Sequence, residues 1–185
     1  MDFLQMTKER YSVRKFDSRP VEEEKLHRIL EAGRVAPTAV NYQPQRILVL
    51  RKEEAMEALS RCTRYVFGAG VALLVCYDKN VSWKNRGGKD MGEVDVSIVT
   101  TQMMYAAQEL GLGTLWVGSY KEDLLRELFS LPEFLVPVAI LMVGYPADDA
   151  KPHPVLHESR YAPEHSIFYD TFEGIKPGES NAGKH

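Results

Sequence analysis

Residues 91–120 read MGEVDVSIVTTQMMYAAQELGLGTLWVGSY, a long apolar segment closed by two glycines and followed at once by a second apolar run of different character. Val94, Ile98, Thr101 or Met103, Tyr105 and Leu110 recur at helical spacing, and the positions between them are also largely apolar. The spacing predicts a helix that is hydrophobic nearly all round, hence one buried on several sides, either centrally or against a second subunit. Gly111 and Gly113 end it. GTLWVGSY then supplies a strand that breaks at Gly118.

Moving upstream, GVALLVCYD reads as a central strand, and RILVLRK as a buried strand followed by a helix from about residue 53 to 61. VEEEKLHRILEAGRVAP carries a helical stripe with acids in its first turn, preceded by Pro20 and stopped by Pro37. Downstream, a short amphipathic helix is expected near Glu122 to Leu128. EFLVPVAILMVGYP gives a fourth strand, with Pro137 favouring an edge or a bulge. Helices alternating with buried strands indicate a three-layer α/β or α+β arrangement. Past Pro146 the periodicity fades while aromatic residues persist, as expected of a segment that wraps another surface, a partner subunit among the candidates. One domain is expected over 1–172, with the wrapping segment from about 147 and a disordered tail over 173–185.

The 185 residues, 44% hydrophobic, suffice for a substantial core. With 23 basic and 26 acidic residues the net charge of -3 gives no general attraction to nucleic acid or to anionic membranes. No apolar run reaches membrane-spanning length, and MDFLQMTKER places charges where a signal peptide needs an apolar core, so a cytoplasmic location is expected. Cys62 and Cys76 lie far apart within apolar or helical patterns and are expected to be buried, reduced thiols. His153 and His157 have metal-compatible spacing only on a helix; Pro152 and Pro154 argue against one, and no metal site is expected.

Three stretches carry candidate chemistry. In KERYSVRKFD, an extended backbone would project Arg10, Ser12 and Arg14 one way and Tyr11 and Val13 the other, making a polar claw suited to phosphate on an apolar mount. The alternative is the solvated basic end of a first helix. In APTAVNYQPQ, Asn41 and Gln43 offer donors and acceptors together, as a heterocycle with alternating carbonyls and ring nitrogens requires, or else Asn41 caps a turn and Gln43 is exposed. The Gly-Leu-Gly at 111–113 sits at a helix C-terminus, the wrong end for a phosphate, which excludes a dinucleotide-type loop. Gly118 and Ser119 at a strand end let backbone N–H groups approach a flat ligand, or form an ordinary turn.

Together these segments resemble the nitroreductase family of FMN-dependent oxidoreductases. Its R-x-S-x-R/K segment matches Arg10, Ser12 and Arg14. Its P-S-x-x-N-x-Q-P motif matches Pro37, Thr38, Asn41, Gln43 and Pro44, with threonine in place of serine. Its G-L-G-x-x-W-x-G segment matches Gly111, Leu112, Gly113, Trp116 and Gly118. The resemblance runs from about Phe3 to Phe172. It implies an α+β fold of three α/β/α layers around a mostly antiparallel sheet, in an intertwined homodimer with FMN at the subunit interface.

The resemblance further implies that Arg10, Ser12 and Arg14 hold the phosphate and ribityl chain of FMN, with Tyr11 counted beside them among the cofactor-binding residues, and that Arg160 closes on the phosphate. Val117, Gly118 and Ser119 would contact the flavin ring, while Pro37, Thr38 and Asn41 would reach the flavin bound mainly by the other subunit, and Gln43 counts with them among the cofactor-binding residues. The expected activity is ping-pong hydride transfer from NAD(P)H through the flavin to a nitroaromatic, quinone or similar small acceptor, with no side chain acting as acid or base. An FMN protein of the same fold with a specialised role, such as a flavin-consuming enzyme, a dehalogenase or a dehydrogenase, is the alternative. Tyr65, Phe67 and Trp83 are candidates for a lid over the flavin, or else pack the domain edge. Lys84, Arg86 and Lys89 would attract a nucleotide phosphate, or are simply solvated. The chain departs from the pattern at Gln45, where an aromatic residue is frequent, and in a C-terminal phosphate clamp resting on Arg160 alone, so a modest FMN affinity is expected.

Overall fold

The computed structural model describes residues 2–175 and 177. The chain divides into two compact units, 1–153 and 154–185. The first unit contains helices α1 (Phe3–Glu9), α2 (Glu23–Arg34) and α3 (Glu53–Cys62), with strand β1 (Gln45–Leu50) between the last two. Strand β2 (Val71–Asp78) follows, then helix α4 (Gly92–Glu109), strand β3 (Gly113–Val117), helix α5 (Glu122–Leu128) and strand β4 (Leu135–Gly144).

The four strands form one sheet in the order β1-β2-β4-β3, every pair antiparallel. Alternation along the strands sends two sets of side chains to opposite faces. On one face Leu74, Cys76, Leu115, Val117, Ile140 and Met142 pack with Leu59 of α3 and Leu125 of α5. On the other, Leu73, Val75, Leu141 and Val143 pack with Ile29 of α2 and with Val96, Val99 and Met103 of α4. The result is the expected three-layer α+β arrangement.

The apolar helix is α4, where Val96, Val99, Met103 and Ala107 have no exposure at all. One stripe, Val94 and Ile98, nonetheless remains exposed. The central strands are β2 and β4, as their unbroken apolar runs require. RILVLRK is different from its expectation: β1 is an edge strand with alternating exposure, because only β2 pairs with it. Pro137 lies within central β4, and the missing N–H is accommodated by a bulge, since Val75 pairs with Ala139 while Cys76 pairs with Pro137. Tyr120 Oη donates to the Pro137 carbonyl there at 2.9 Å.

Helix α1 ends at Glu9, so KERYSVRKFD begins as the end of a first helix and continues as an extended segment; the start of α1 is capped by Asp2, whose carboxylate accepts from the Gln5 N–H at 3.3 Å. Beyond it, residues 12–17 run extended across three elements. Val13 N–H donates to the Thr114 carbonyl (2.9 Å), Phe16 N–H to Phe67 (3.2 Å) and Asp17 N–H to Tyr145 (2.9 Å), while Ala147 N–H donates back to Lys15 (3.1 Å). Ser12 thereby makes a parallel bridge with Thr114, on the free edge of β3. Val13 and Phe16 are buried in the core of that face.

In the second unit, α6 (Pro154–Glu158) forms despite the two prolines. Pro154 is its first residue, where a missing N–H breaks no intrahelical bond. A 3₁₀ turn follows at Pro163–His165. Of the tail expected to be disordered, residues 176 and 178–185 lie outside the described residues. Both cysteines are buried and unpaired, and burial pushes the Cys76 thiol up to about 12. They are neutral packing groups, as the sequence suggests. Among the described residues no helix is long and apolar enough to cross a membrane.

Gly113 is where the N-terminal segment meets the sheet: a Cβ there would stand 2.6 Å from Val13 Cγ2 and 2.8 Å from Pro146 Cγ. Gly113→Ala is expected to cost about 1–3 kcal/mol in urea denaturation. In a double-mutant cycle with Val13→Ala the combined loss should fall short of the sum, because the smaller residue removes the closer of the two clashes and leaves only that with Pro146.

Candidate active site

Where β3 ends, its last residues, the segment just described and the loop after α3 enclose a cleft of about 300 Å³ lined by Arg14, Tyr65, Phe67 and residues 115–119. Arg14 arrives because Val13 and Phe16 are fixed in the core on either side of it, leaving the guanidinium exposed at the mouth, with Nη1 donating to the Ser12 carbonyl at 3.3 Å. Gly118 leaves the cleft floor open, since nothing lies within 4 Å of where a Cβ would stand. Tyr65 and Phe67 form the far wall, their ring centroids 6.1 Å apart at 45°. Phe67 takes a positive φ of 52°, an uncommon conformation for a bulky residue, and its carbonyl receives the Phe16 N–H.

Two hydrogen bonds fix the strand exit that carries Gly118 and Ser119. The buried Thr63 hydroxyl donates to the Ser119 carbonyl at 2.8 Å, and Lys121 N–H donates to the Cys62 carbonyl at 2.9 Å. Thr63 Oγ1 also accepts from Tyr65 N–H at 3.4 Å, so one side chain ties the floor of the cleft to its wall. Nothing in the sequence marks Thr63, because its partner is 56 residues away.

The structure therefore brings Arg14, Val117, Gly118 and Ser119 into one cleft, while Arg10 and Ser12 precede Arg14 on the same segment without lining the cleft. Arg10 follows α1 directly, its backbone already extended at φ -61°, ψ 130°. Tyr11 turns its ring towards the core, its hydroxyl donating to the Ala150 carbonyl at 3.4 Å, and burial raises its pKa. Trp83 and the 79–90 loop do not line this cleft; the loop folds on itself, with Asn85 N–H donating to the Lys89 carbonyl (3.0 Å) and Met91 N–H to Trp83 (2.9 Å). Arg160 belongs to the second unit, where Nη1 donates to the Ser159 (2.7 Å) and Leu156 (3.3 Å) carbonyls.

Pro37, Thr38, Asn41 and Gln43 lie on a separate loop between α2 and β1, away from the lining of the cleft. Val40, Asn41 and Gln43 all have positive φ, between 51° and 56°, which for a β-branched valine is strained. Thr38 Oγ1 accepts from Gln43 N–H at 3.1 Å and Gln43 Nε2 donates to the Asn41 carbonyl at 3.3 Å, closing the loop on itself. Its anchor is Asp95 of α4, buried, whose Oδ1 accepts from Ala39 N–H at 2.8 Å. Asp95 was legible in retrospect: it occupies the core stripe shared by Val99, Met103 and Ala107, where an acid is out of place unless it holds something. The loop presents Val40, 65% exposed, and Tyr42 outward.

The nitroreductase family model matches residues 7–65 and 64–145. A protein of Methanothermobacter thermautotrophicus named as an NADH dehydrogenase/NAD(P)H nitroreductase is 36% identical over 80% of this chain and 80% of its own length. A solved nitroreductase family protein of Clostridium difficile 630 superposes with a TM-score of 0.87 at 39% identity, covering 92% of this chain and 99% of that one. A nitroreductase of Desulfovibrio desulfuricans solved in complex with FMN gives 0.77 at 30% identity, covering 91% and 96%.

Thr63→Val should leave the Ser119 carbonyl without its donor at a cost of about 1–3 kcal/mol. Thr63→Ser should keep most of that stability. Urea denaturation of the two variants separates the hydroxyl from the methyl group.

Proposed function

The chain belongs to the nitroreductase family, and from that premise we propose that it is an FMN-dependent oxidoreductase carrying hydride from NAD(P)H to small aromatic acceptors such as nitro compounds or quinones. The observation that carries the reading is the joining of Arg14 to the open backbone at Gly118 in a single cleft. FMN fits the residues present. The alternating segment offers two guanidiniums and a hydroxyl, at Arg10, Arg14 and Ser12, for a nearly dianionic phosphate. The space above Gly118 admits a flat ring against the chain, and Tyr65 and Phe67 offer aromatic surface beside it.

When bound, FMN supplies the two-electron chemistry, and the protein supplies position and electrostatics. Arg10, Ser12 and Arg14 would hold the phosphate end, and the Arg14 cation would stabilise negative charge developing on the ring during reduction. The Val117–Ser119 backbone, fixed by Thr63, would align the ring. Donor and acceptor would use the same face in turn, a ping-pong sequence requiring no side-chain acid or base.

The site would be completed by a second copy of the chain. A homodimer is supported by the exposed apolar stripe of α4, the exposed Phe3 and Leu4 of α1, the unpaired edge of β1, and the strained Val40 loop held outward by Asp95. Exposed Val155, Ile167, Tyr169 and Phe172 in the second unit fit a segment that wraps a partner. Within the proposal, the Asn41 loop serves the partner's flavin, and Arg160 closes on a phosphate.

Arg10→Ala with Arg14→Ala should weaken FMN binding about a hundredfold or more, with far-UV circular dichroism unchanged, since Arg14 is exposed, Arg10 is only half-buried, and neither is in the core. Anaerobic stopped-flow mixing of the FMN-loaded protein with NADH and with NADPH should bleach the flavin; bleaching by neither contradicts the reductase reading.

A further inference from the structure

A second groove, of about 520 Å³, adjoins the cleft and shares Tyr65 and Ser119 with it. Its remaining lining is Ser60 to Arg64 at the end of α3, with Tyr120 and Lys121 at the start of α5. It holds three cations, Arg61, Arg64 and Lys121, and no carboxylate. In a chain of net charge -3, whose surface cations are widely paired, such as Arg34 with Glu31, Arg126 with Glu122 and Arg19 with Asp17, this is an uncompensated positive patch. None of the three makes an ion pair with a described residue.

Arg64 is also held in place, its guanidinium 5.0 Å from the Tyr65 ring centroid and Nη2 donating to Tyr65 Oη at 3.0 Å. The groove floor is the rigid junction made by the Thr63 to Ser119 and Lys121 to Cys62 hydrogen bonds. A fixed planar fork with two further cations on a rigid floor is the equipment for a phosphate ester, since guanidinium matches phosphate oxygens bidentately.

We propose that this groove binds the pyrophosphate of the pyridine dinucleotide whose nicotinamide enters the adjoining cleft, a reading that rests on the reductase function proposed above. The pyrophosphate is one ribose away from the nicotinamide and is the anion that NADH and NADPH share. It is distinct from the flavin phosphate, which is assigned to Arg10, Ser12 and Arg14, none of which lines the groove. The Lys84, Arg86 and Lys89 loop is not part of it.

The test compares three hydride donors on the FMN-loaded protein: NADH, NADPH and 1-benzyl-1,4-dihydronicotinamide, which carries no phosphate. For each of Arg61→Gln, Arg64→Gln and Lys121→Gln, the ratio of kcat/KM with NADH to that with the benzyl donor should fall about tenfold, and the NADPH ratio should fall equally. Equal loss with all three donors, or no loss with any, overturns the proposal; loss confined to NADPH assigns the groove to the 2′-phosphate and overturns the pyrophosphate assignment. Calorimetric titration of the same FMN-loaded variants with inorganic pyrophosphate gives a readout independent of turnover. Wild-type binding that weakens between 50 and 200 mM salt and disappears in the triple variant is expected, and binding unchanged in that variant contradicts the site. If no donor reduces the wild type, the reductase reading fails by itself, while the titration still decides whether the groove holds the anion.

Discussion

Close contact between Val13 and the bare Cα of Gly113 governs the arrangement of the cleft. With a side chain at 113 the N-terminal segment would be pushed off the edge of β3, since the nearest Val13 and Pro146 atoms stand within 3 Å of the Cβ position. Because the segment lies against Thr114 in parallel register, Val13 and Phe16 anchor in the core and Arg14 is left at the mouth of the cleft. The glycine thus serves the site without touching it. The same contact protects the edge of β3, leaving β1 as the exposed sheet edge.

Two polar side chains transmit the rigidity of the core to exposed backbone. Thr63 joins the strand exit at Ser119 to the aromatic wall, and Asp95 holds the first turn of the strained 38–43 loop from the buried face of α4. Each is buried, so replacing it with an apolar residue would leave a backbone group short of a partner. Asp95 Oδ2 is itself buried without a hydrogen-bond partner among the described residues, a cost that the anchoring of Ala39 helps to offset. The strand exit at Ser119 and the 38–43 loop are thereby given fixed geometry on an otherwise ordinary three-layer scaffold.

Much of this was legible in the residues. The apolar run of α4 and the strand pattern of β2 and β4 specify the buried layers, since continuous hydrophobicity has only one stable place in such a fold. The alternation at Arg10, Ser12 and Arg14 correctly anticipated an extended segment with Val13 turned inward. The edge position of β1 was not legible, because Ile47 to Leu50 are apolar enough to suit a central strand and only the pairing order decides. Nor was α6, where two prolines obscured a single turn that needs no N–H from its first residue. Thr63 and the basic groove depend on contacts between α3 and the exit of β3, which no local pattern encodes.

The central claim is that the N-terminal guanidiniums recognise a flavin by its phosphate. It is tested most directly by titrating flavin-free protein with FMN and with riboflavin, which share the ring system and differ by that phosphate. Recognition through Arg10 and Arg14 predicts that FMN binds at least a hundredfold more tightly, about 3 kcal/mol, with the gap narrowing as salt is raised. Equal affinity for the two flavins would contradict it.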